Sequence, residues 1–129
     1  MTRLCIVVGG LFGCLGVGCG AFGAHGLKQL LESSGQAGNW ETGARYCLVH
    51  ALLLVAIGLA MEAASAASRP ILGWAAAACI AGTAIFSGCL WALALSGFRP
   101  LGAVVPIGGT LLMVAWLLVA WAGSRMPRG

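Results

Sequence analysis

Residues 71 to 95 read ILGWAAAACIAGTAIFSGCLWALAL and contain no charged side chain. A helix of about 20 mostly apolar residues is long enough to cross the hydrocarbon core of a bilayer. Three small residues, Ala75, Ala78 and Gly82, recur at helical spacing on one face of this run. Small residues let neighbouring helices approach closely, and such packing drives helix association in lipid. The run therefore predicts a transmembrane helix that packs tightly against another helix.

Three further apolar runs accompany this one, at residues 4 to 24, 45 to 64 and 101 to 123. Of the 129 residues, 60% are hydrophobic and only 8% are charged, whereas a soluble domain carries roughly 25% charged residues. So few charges cannot cover a water-facing surface, and four spans leave residues only for the connections. We predict an all-α integral membrane protein, a four-helix transmembrane bundle that forms a single domain over residues 1 to 129.

The only sizeable polar connection, residues 27 to 45, joins the first and second runs. Its leucines fall on one helical face opposite Lys28 and Glu32, which predicts a short amphipathic segment at the membrane interface. Trp40 is expected in the aromatic belt at the membrane surface. The leucines of this face are Leu27, Leu30 and Leu31.

The seven basic residues are scattered singly near the ends of the apolar runs, where Lys and Arg anchor helices to lipid headgroups. A nucleic-acid site would need them clustered, so no nucleic-acid partner is expected. Four spans put both termini on one side of the membrane. That side carries more basic residues than the other, and cytoplasmic segments are enriched in Lys and Arg, so we predict cytoplasmic termini. The terminal side holds Arg3, Arg69, Arg125 and Arg128, and the other side holds Lys28, Arg45 and Arg99.

Five of the glycines in the first run are separated alternately by four and three residues, a repeat that places them on one helix face. This glycine seam lets a neighbouring backbone approach closely, either inside the bundle or between two protomers. Helix packing inside the bundle is the interpretation that we favour. The glycines of the seam are Gly9, Gly13, Gly16, Gly20 and Gly23.

The start of the first run also has features of a secretory signal peptide, because Arg3 precedes a short apolar stretch with small residues. LFGC at residues 11 to 14 even has the outline of a lipoprotein cleavage box. The apolar segment continues well past that cysteine, however, and the rest of the chain is itself membrane-embedded. We therefore expect an uncleaved first helix.

The six cysteines are expected to pack as small hydrophobic residues. They form no CxxC pair and no Cys/His ligand cluster in the sequence, and disulfide frameworks belong to small secreted proteins. No metal or other cofactor is expected. The cysteines are Cys5, Cys14, Cys19, Cys47, Cys79 and Cys89.

Few polar side chains fall within the apolar runs, and ionisable groups there are functional candidates because burying them is costly. Tyr46 and His50 are four residues apart on one helix face, and His25 ends the first run near the membrane surface where the second begins. These three residues form a candidate polar site for a quinone headgroup, a proton or another small ligand. The alternative, which we favour, is that both histidines hydrogen-bond carbonyls or neighbouring helices. The other polar groups are Thr83, Ser87 and Thr110.

The sequence carries no recognisable catalytic constellation. Asp is absent and no paired carboxylates lie inside a run, so acid–base hydrolysis has no obvious machinery. Ser87 lies in FSGC without the GxSxG pattern of a hydrolase nucleophile. Gly108 and Gly109 follow Pro106 without the Lys of a phosphate-binding loop. We predict that the protein is not an enzyme.

Three segments resemble a known family: AFGAHGLK at residues 21 to 28, RYCLVHALLL at 45 to 54, and FSGCLWALALSG with PLGAVVPIGG between 86 and 109. They resemble the YgdD-type family of small bacterial inner-membrane proteins, a family of unknown function, over essentially the whole chain. The resemblance implies a four-span inner-membrane fold with an uncleaved first helix, and it implies no reaction. The family's recurring residues, none with an assigned role, correspond to Gly23, His25, Gly26, Tyr46, His50, Ser87, Gly88, Pro106, Gly108 and Gly109.

Three functional hypotheses follow from these residues. The first is a non-enzymatic accessory or assembly partner of a larger membrane complex, or a homo-oligomer, because small-residue faces suit helix contacts. The second is a channel, a transporter or a ligand-binding protein that uses His25, Tyr46 and His50. The third and weakest is a membrane enzyme or a quinone-binding redox protein. A haem version of it would have only His25 and His50 as axial histidine ligands.

Overall fold

The computed structural model describes residues 1 to 126, so Arg128, counted above on the terminal side, lies outside the described residues. Within residues 1 to 126 the chain forms five helices and no strand. Four of the helices are long and apolar enough to cross a membrane, which confirms the predicted all-α membrane fold with four spans. The helices are α1 (Thr2–Ala24), α2 (Lys28–Ser33), α3 (Ala37–Ala63), α4 (Ser68–Ser96) and α5 (Pro100–Ser124).

The four long helices pack in chain order, α1 on α3, α3 on α4 and α4 on α5. Their contacts show that consecutive helices run in opposite directions. Gly23 near the end of α1 meets Trp40 near the start of α3, and the Trp91 indole near the end of α4 donates to the Trp40 carbonyl at 3.3 Å. Ser68 at the start of α4 donates to the carbonyl of Ala122 at the end of α5 at 3.3 Å. The start of α1 and the end of α5 therefore lie at the same end of the bundle.

The glycine seam of α1 packs against α3 through three glycines that are seven residues apart. A methyl group added at any of the three would lie within 2.7 Å of an α3 side chain. Gly13 is looser, since its added methyl group would lie 3.9 Å from the Ala51 Cβ, and at Gly20 nothing lies within 4 Å. The seam is thus used within one molecule along the whole of α1. The contacts are Gly9 with Val55, Gly16 with Leu48 and Gly23 with Trp40.

α4 and α5 cross at two glycines, Gly82 and Gly108. A methyl group added at Gly108 would lie 2.6 Å from the backbone nitrogen of Phe86 and 3.0 Å from the carbonyl oxygen of Gly82. One added at Gly82 would lie 2.8 Å from Leu112 Cδ2. The two backbones approach each other directly here, which only residues without a Cβ permit.

α3 begins at Ala37, eight residues before the start predicted for the second span at Arg45. The polar residues in this stretch suggest a connection, but the helix continues through them because Trp40 and Gly43 pack against neighbouring helices. Trp40 is buried, and its indole N–H donates to the carbonyl of Cys19 in α1 at 2.7 Å. The prediction of an aromatic-belt position for Trp40 is therefore wrong, because the side chain joins α1 to α3.

α2 is a short helix with the amphipathic pattern expected between the first two spans. Leu31 is fully buried and Leu27 packs beside it, whereas Leu30 is exposed. Lys28 and Glu32 form an exposed ion pair across one turn, with 4.0 Å between Nζ and Oε1. The helix therefore lies against the bundle along one edge and presents its charges to the surroundings.

Candidate functional site

A row of side chains on α4 donates hydrogen bonds to backbone carbonyls of α3. The Trp91 indole donates to Trp40, the Ser87 hydroxyl donates to the carbonyl of Gly43 at 2.8 Å, and the Cys79 thiol donates to the carbonyl of His50 at 3.6 Å. The donors at positions 79, 87 and 91 share the four-residue repeat of one helix face. This row fixes the register of the two helices and holds the backbone around His50.

Thr83 occupies the missing position in this row, four residues from both Cys79 and Ser87. It is buried, and its Oγ1 is the one buried side-chain oxygen or nitrogen within residues 1 to 126 that has no hydrogen-bond partner. The register places it opposite α3 between Gly43 and His50. A buried hydroxyl without a partner costs free energy, so this position bears directly on the stability of the site.

His50 lies at the centre of the bundle. It is residue 14 of the 27 in α3, and its side chain is only 4% exposed. The sequence predicts this histidine near the membrane surface, because the second span is expected to begin at Arg45. Eight further helical residues lie ahead of Arg45, and they put His50 in the middle of α3. A buried ionisable side chain at this depth is costly and marks a candidate functional position.

Both ring nitrogens of His50 have partners, and these partners define its protonation. Nδ1 lies 2.8 Å from the carbonyl oxygen of Tyr46, which can only accept, so Nδ1 carries the proton. The indole N–H of Trp116 in α5 donates to Nε2 at 3.2 Å, so Nε2 is the acceptor. The ring is therefore the neutral Nδ1–H tautomer, and its lone pair points toward α5.

Aromatic rings surround His50 on the side that faces α5. The Tyr46 ring stacks on the His50 ring with 5.8 Å between centroids and on the Phe86 ring with 4.5 Å. Trp116 meets His50 edge to face at 6.3 Å. The three rings of Phe86, Tyr46 and His50 form one tilted stack, with interplanar angles of 29° and 22°.

These rings line an open cavity of about 430 Å³ between α3, α4 and α5. The cavity begins beside His50 and opens at the bundle surface, where Tyr46 and Trp116 are 40% and 47% exposed. Its volume falls within the roughly 300 to 1,000 Å³ typical of small-molecule sites. We call this cavity the His50 pocket; its lining residues from α5 are Pro106, Gly109, Thr110, Leu112, Met113 and Trp116.

Pro106 and Thr110 shape the α5 wall of the His50 pocket. Pro106 lies inside the helix and has no N–H to donate, so the turn before it lacks one backbone hydrogen bond. The Thr110 hydroxyl donates to the Pro106 carbonyl at 2.9 Å. Gly109 leaves the wall open, since a methyl group added there would make ordinary contact with the Phe86 ring at 3.6 Å.

The structure brings Tyr46 and His50 together but leaves His25 outside their site. His25 is exposed at the end of α1. The neighbouring Gly23 faces Trp40, which precedes His50 by ten residues, or about 15 Å along a helix. The expected convergence of the three residues is therefore not what the structure shows, and it does not bring the two histidines together as a haem ligand pair.

The other family-motif residues serve different parts of the bundle. Gly26 lies in the turn after α1, where an added methyl group would lie 3.4 Å from the Phe22 ring. Ser87 belongs to the α3–α4 row, Gly108 to the α4–α5 crossing, and Gly88 has nothing within 4 Å of an added methyl group. Only Pro106 and Gly109 join Tyr46 and His50 in the pocket.

The cysteines are free thiols. Cys47 donates to the carbonyl of Phe12 in α1 at 3.2 Å, as Cys79 does to that of His50, so both connect helices. In the part of the chain that the structure describes, no three His, Cys, Asp or Glu side chains are placed to hold a metal ion.

Sequence reasoning missed Trp116, Phe86 and Met113 as pocket residues. The signal was present in α5, where positions 106, 109, 110, 113 and 116 follow the three- and four-residue spacing of one helix face. An apolar face of this kind has the same pattern as a lipid-facing or packed surface, so the spacing alone does not single it out.

Comparisons with known proteins identify a family. The model described as "Protein of unknown function (DUF423)" matches residues 19 to 109. A UPF0382 membrane protein of Staphylococcus saprophyticus is 38% identical over 91% of this chain and 93% of its own. The UPF0382 membrane protein YwdK of Bacillus subtilis is 35% identical over 95% of this chain and 98% of its own.

The similarity extends to a eukaryote, since a UPF0382 membrane protein of Schizosaccharomyces pombe is 32% identical over 84% of this chain and 92% of its own. No solved structure matches the chain. The narrower YgdD-type label stays a prediction. The matched segment contains both Tyr46 and His50 and ends at Gly109, and the chain belongs to the DUF423 family of UPF0382 membrane proteins, whose function is unknown.

Proposed function

We propose that this protein is a non-enzymatic membrane protein that binds a small lipid-soluble molecule with a polar head in the His50 pocket. The observation that carries this proposal is the position of His50. A neutral histidine at the centre of the bundle lines a cavity that opens sideways toward the lipid. A molecule dissolved in the bilayer enters such a cavity without crossing water.

The polar atoms of the pocket support a ligand with its own hydrogen-bonding group. The cavity combines aromatic walls with the side chains of Tyr46, His50 and Thr110. Ligand sites are mostly apolar with a few convergent polar groups. In hydrocarbon, the exposed Tyr46 ring carries a hydroxyl that bulk lipid chains do not satisfy. A polar head in the pocket satisfies it.

The lining of the pocket supports binding rather than catalysis. It includes no carboxylate, thiol or serine, and the Thr110 hydroxyl donates to the Pro106 carbonyl, so the lining holds no activated nucleophile. The one titratable imidazole is already hydrogen-bonded through both nitrogens. These features favour a carrier, sensor or accessory role over chemical conversion.

Native mass spectrometry of the protein, extracted gently from its own membrane, tests this proposal. Gly109→Leu fills the pocket from its α5 wall, and Gly88→Leu adds the same side chain where nothing lies within 4 Å. We expect the wild type and Gly88→Leu to carry an adduct of constant mass that Gly109→Leu lacks. Equal adducts on all three proteins, or none on any, would contradict ligand binding in the pocket.

His25→Ala supplies a second control. His25 lies outside the pocket, so this variant is expected to keep the adduct. Loss of the adduct in His25→Ala alone would place the ligand at the end of α1 instead.

A second candidate function is docking of another membrane helix against the free face of α1. Gly10 and Gly18 have nothing within 4 Å of an added methyl group, and Cys14 between them is exposed. The three form a small residue every four positions on a face that α3 does not cover, which suits close helix pairing. This face would serve a homo-oligomer or a partner subunit.

Cysteine cross-linking in the native membrane tests the docking face. A short thiol cross-linker or an oxidant is expected to join Cys14 to a second chain, and Cys14→Ala is expected to abolish the product. A monomer that stays uncrosslinked with both reagents would contradict pairing of two copies through this face.

We also propose an inner (plasma) membrane location with both termini cytoplasmic. The support is the count of basic residues in the sequence, with Arg3, Arg69, Arg125 and Arg128 on the terminal side and three basic residues on the other side. An exposed-cysteine tag placed at the start of α1 is expected to react only after the membrane is permeabilised. A tag between α1 and α3 reacts in intact cells. The reverse pattern would invert the orientation.

A further inference from the structure

The shape and chemistry of the His50 pocket favour one class of ligand. Its inner wall is a stack of three flat rings, Phe86, Tyr46 and His50, tilted by less than 30° from one to the next. Aromatic rings prefer offset-stacked or edge-to-face neighbours at 4.5 to 7 Å. A flat ring therefore fits this wall better than a branched or saturated head does.

The hydrogen-bonding capacity of His50 specifies what that ring must carry. Because Nδ1 donates to the Tyr46 carbonyl, the only ring nitrogen of His50 that can accept a hydrogen bond is Nε2. A ligand that meets this atom has to donate a hydrogen bond. A ring with only carbonyl or ether oxygens offers Nε2 nothing.

In the structure, Trp116 is the residue that donates a hydrogen bond to Nε2 of His50. Its indole N–H reaches Nε2 at 3.2 Å, toward the long end of the usual range for hydrogen bonds from N–H groups. Almost half of the side chain is exposed at the bundle surface, at 47%. The indole can rotate toward lipid without leaving a buried space, so it acts as a removable cap on His50.

Resting on the proposed function, we propose that the ligand is a hydroxylated aromatic ring with an apolar tail, a phenol or quinol. Its O–H donates to His50 Nε2 in place of the Trp116 indole N–H. The ring lies along the stack of Tyr46 and Phe86, and the tail extends through the open side of the pocket into the bilayer. No bond is made or broken in this step, and only hydrogen-bond partners exchange.

Two small probes separate this class from its rivals: tetramethylhydroquinone, kept reduced, and its dimethyl ether. Both have the same ring, and only the first can donate. With the protein in lipid nanodiscs, the readout is the indole ¹⁵N–¹H signal of Trp116, assigned by its absence in Trp116→Phe. We expect the hydroquinone to move this signal saturably to the position of an unbonded indole, and the ether to leave it unchanged.

Trp116→Phe provides the matched test, because it removes the competing donor and keeps a ring at the rim. Because the variant lacks the indole signal, the affinities of both proteins are compared by equilibrium dialysis of the nanodiscs. The variant is expected to bind the hydroquinone about fivefold more tightly than the wild type, the equivalent of about 1 kcal/mol for one net hydrogen bond. Equal affinity in both proteins would contradict the cap.

The outcomes distinguish this inference from the proposed function. If the ether moves the signal as the hydroquinone does, or if neither binds while the native adduct persists in wild type and Gly88→Leu, the donor-ring class is wrong and the pocket still holds a ligand. If the native adduct is also absent, the proposed function fails with it.

Discussion

The α1–α3 and α4–α5 interfaces both use glycine for close packing, but the glycines meet different groups. On α1, the atom nearest to a methyl group added at each packed glycine belongs to an α3 side chain, as at Gly23 beside the Trp40 indole. No α3 backbone atom lies closer than the Ala51 carbonyl oxygen, 3.0 Å from the group added at Gly9. At the α4–α5 crossing, Gly108 faces the backbone nitrogen and Cα of Phe86. Side chains can rotate away from an intruding methyl group, whereas a helix backbone cannot.

The comparison separates an adaptable interface from a rigid one, and the His50 pocket lies beside the rigid one. Phe86 belongs to the crossing through its backbone and to the pocket through its ring. Gly109, next to Gly108, lines the same cavity. We conclude that the α4–α5 crossing sets the shape of the pocket, while α1 stabilises the back of α3.

The largest expected effect is that of Gly108→Ala. The added methyl group lies 2.6 Å from the Phe86 nitrogen, so the two helices must separate. We expect a loss of about 2 to 3 kcal/mol in the free energy of unfolding, at the upper end for overpacking. The measurement is reversible unfolding in mixed micelles, with Gly88→Ala as the unaffected control. An unchanged stability in Gly108→Ala would show that the crossing is not rigid.

A smaller effect is expected for Gly23→Ala in the adaptable interface. The methyl group would lie 2.5 Å from Trp40 Cδ1, so the indole rotates and its hydrogen bond to the Cys19 carbonyl is lost. We expect a cost of about 1 kcal/mol, near the value of one hydrogen bond. Gly20→Ala adds the same group with no neighbour within 4 Å. Equal stability of the two variants would contradict the contact.

The smallest effects distinguish two hydroxyls of the α3–α4 row. Ser87→Ala removes a hydrogen bond to Gly43 and is expected to cost about 0.6 kcal/mol, the average for such bonds in a membrane protein. Thr83→Val removes a hydroxyl without a partner and keeps the shape, so it is expected to be neutral or stabilising. A destabilised Thr83→Val would reveal a polar partner for Thr83, such as a bound water.

The four spans were predictable because hydrophobic runs of this length have few alternatives in a chain with so few charges. The start of α3 was not, since Asn39, Glu41 and Arg45 have the composition of a connection. Contacts of Trp40 and Gly43 with other helices extend α3 through those residues, and hydropathy carries no information about such contacts.

The candidate site was predictable only in part, because contacts between helices also decide which residues meet in it. The four-residue spacing of Tyr46 and His50 indicates a shared face, and the structure stacks their rings. The depth of His50 depends on the start of α3, and Trp116 reaches it from 66 positions further along the chain. Pairings this remote depend on which faces of α3, α4 and α5 meet, and one sequence does not specify that.

The measurement that tests the account most directly is photolabelling of the pocket in the living membrane. A photoreactive phenylalanine analogue replaces Met113 at the pocket, and in a matched protein it replaces Ala77 in the all-apolar groove between α4 and α5. The account predicts one discrete adduct at position 113, of the mass seen in native extracts, and mixed phospholipid adducts at position 77. The same phospholipid mixture at both positions would contradict a ligand site at His50.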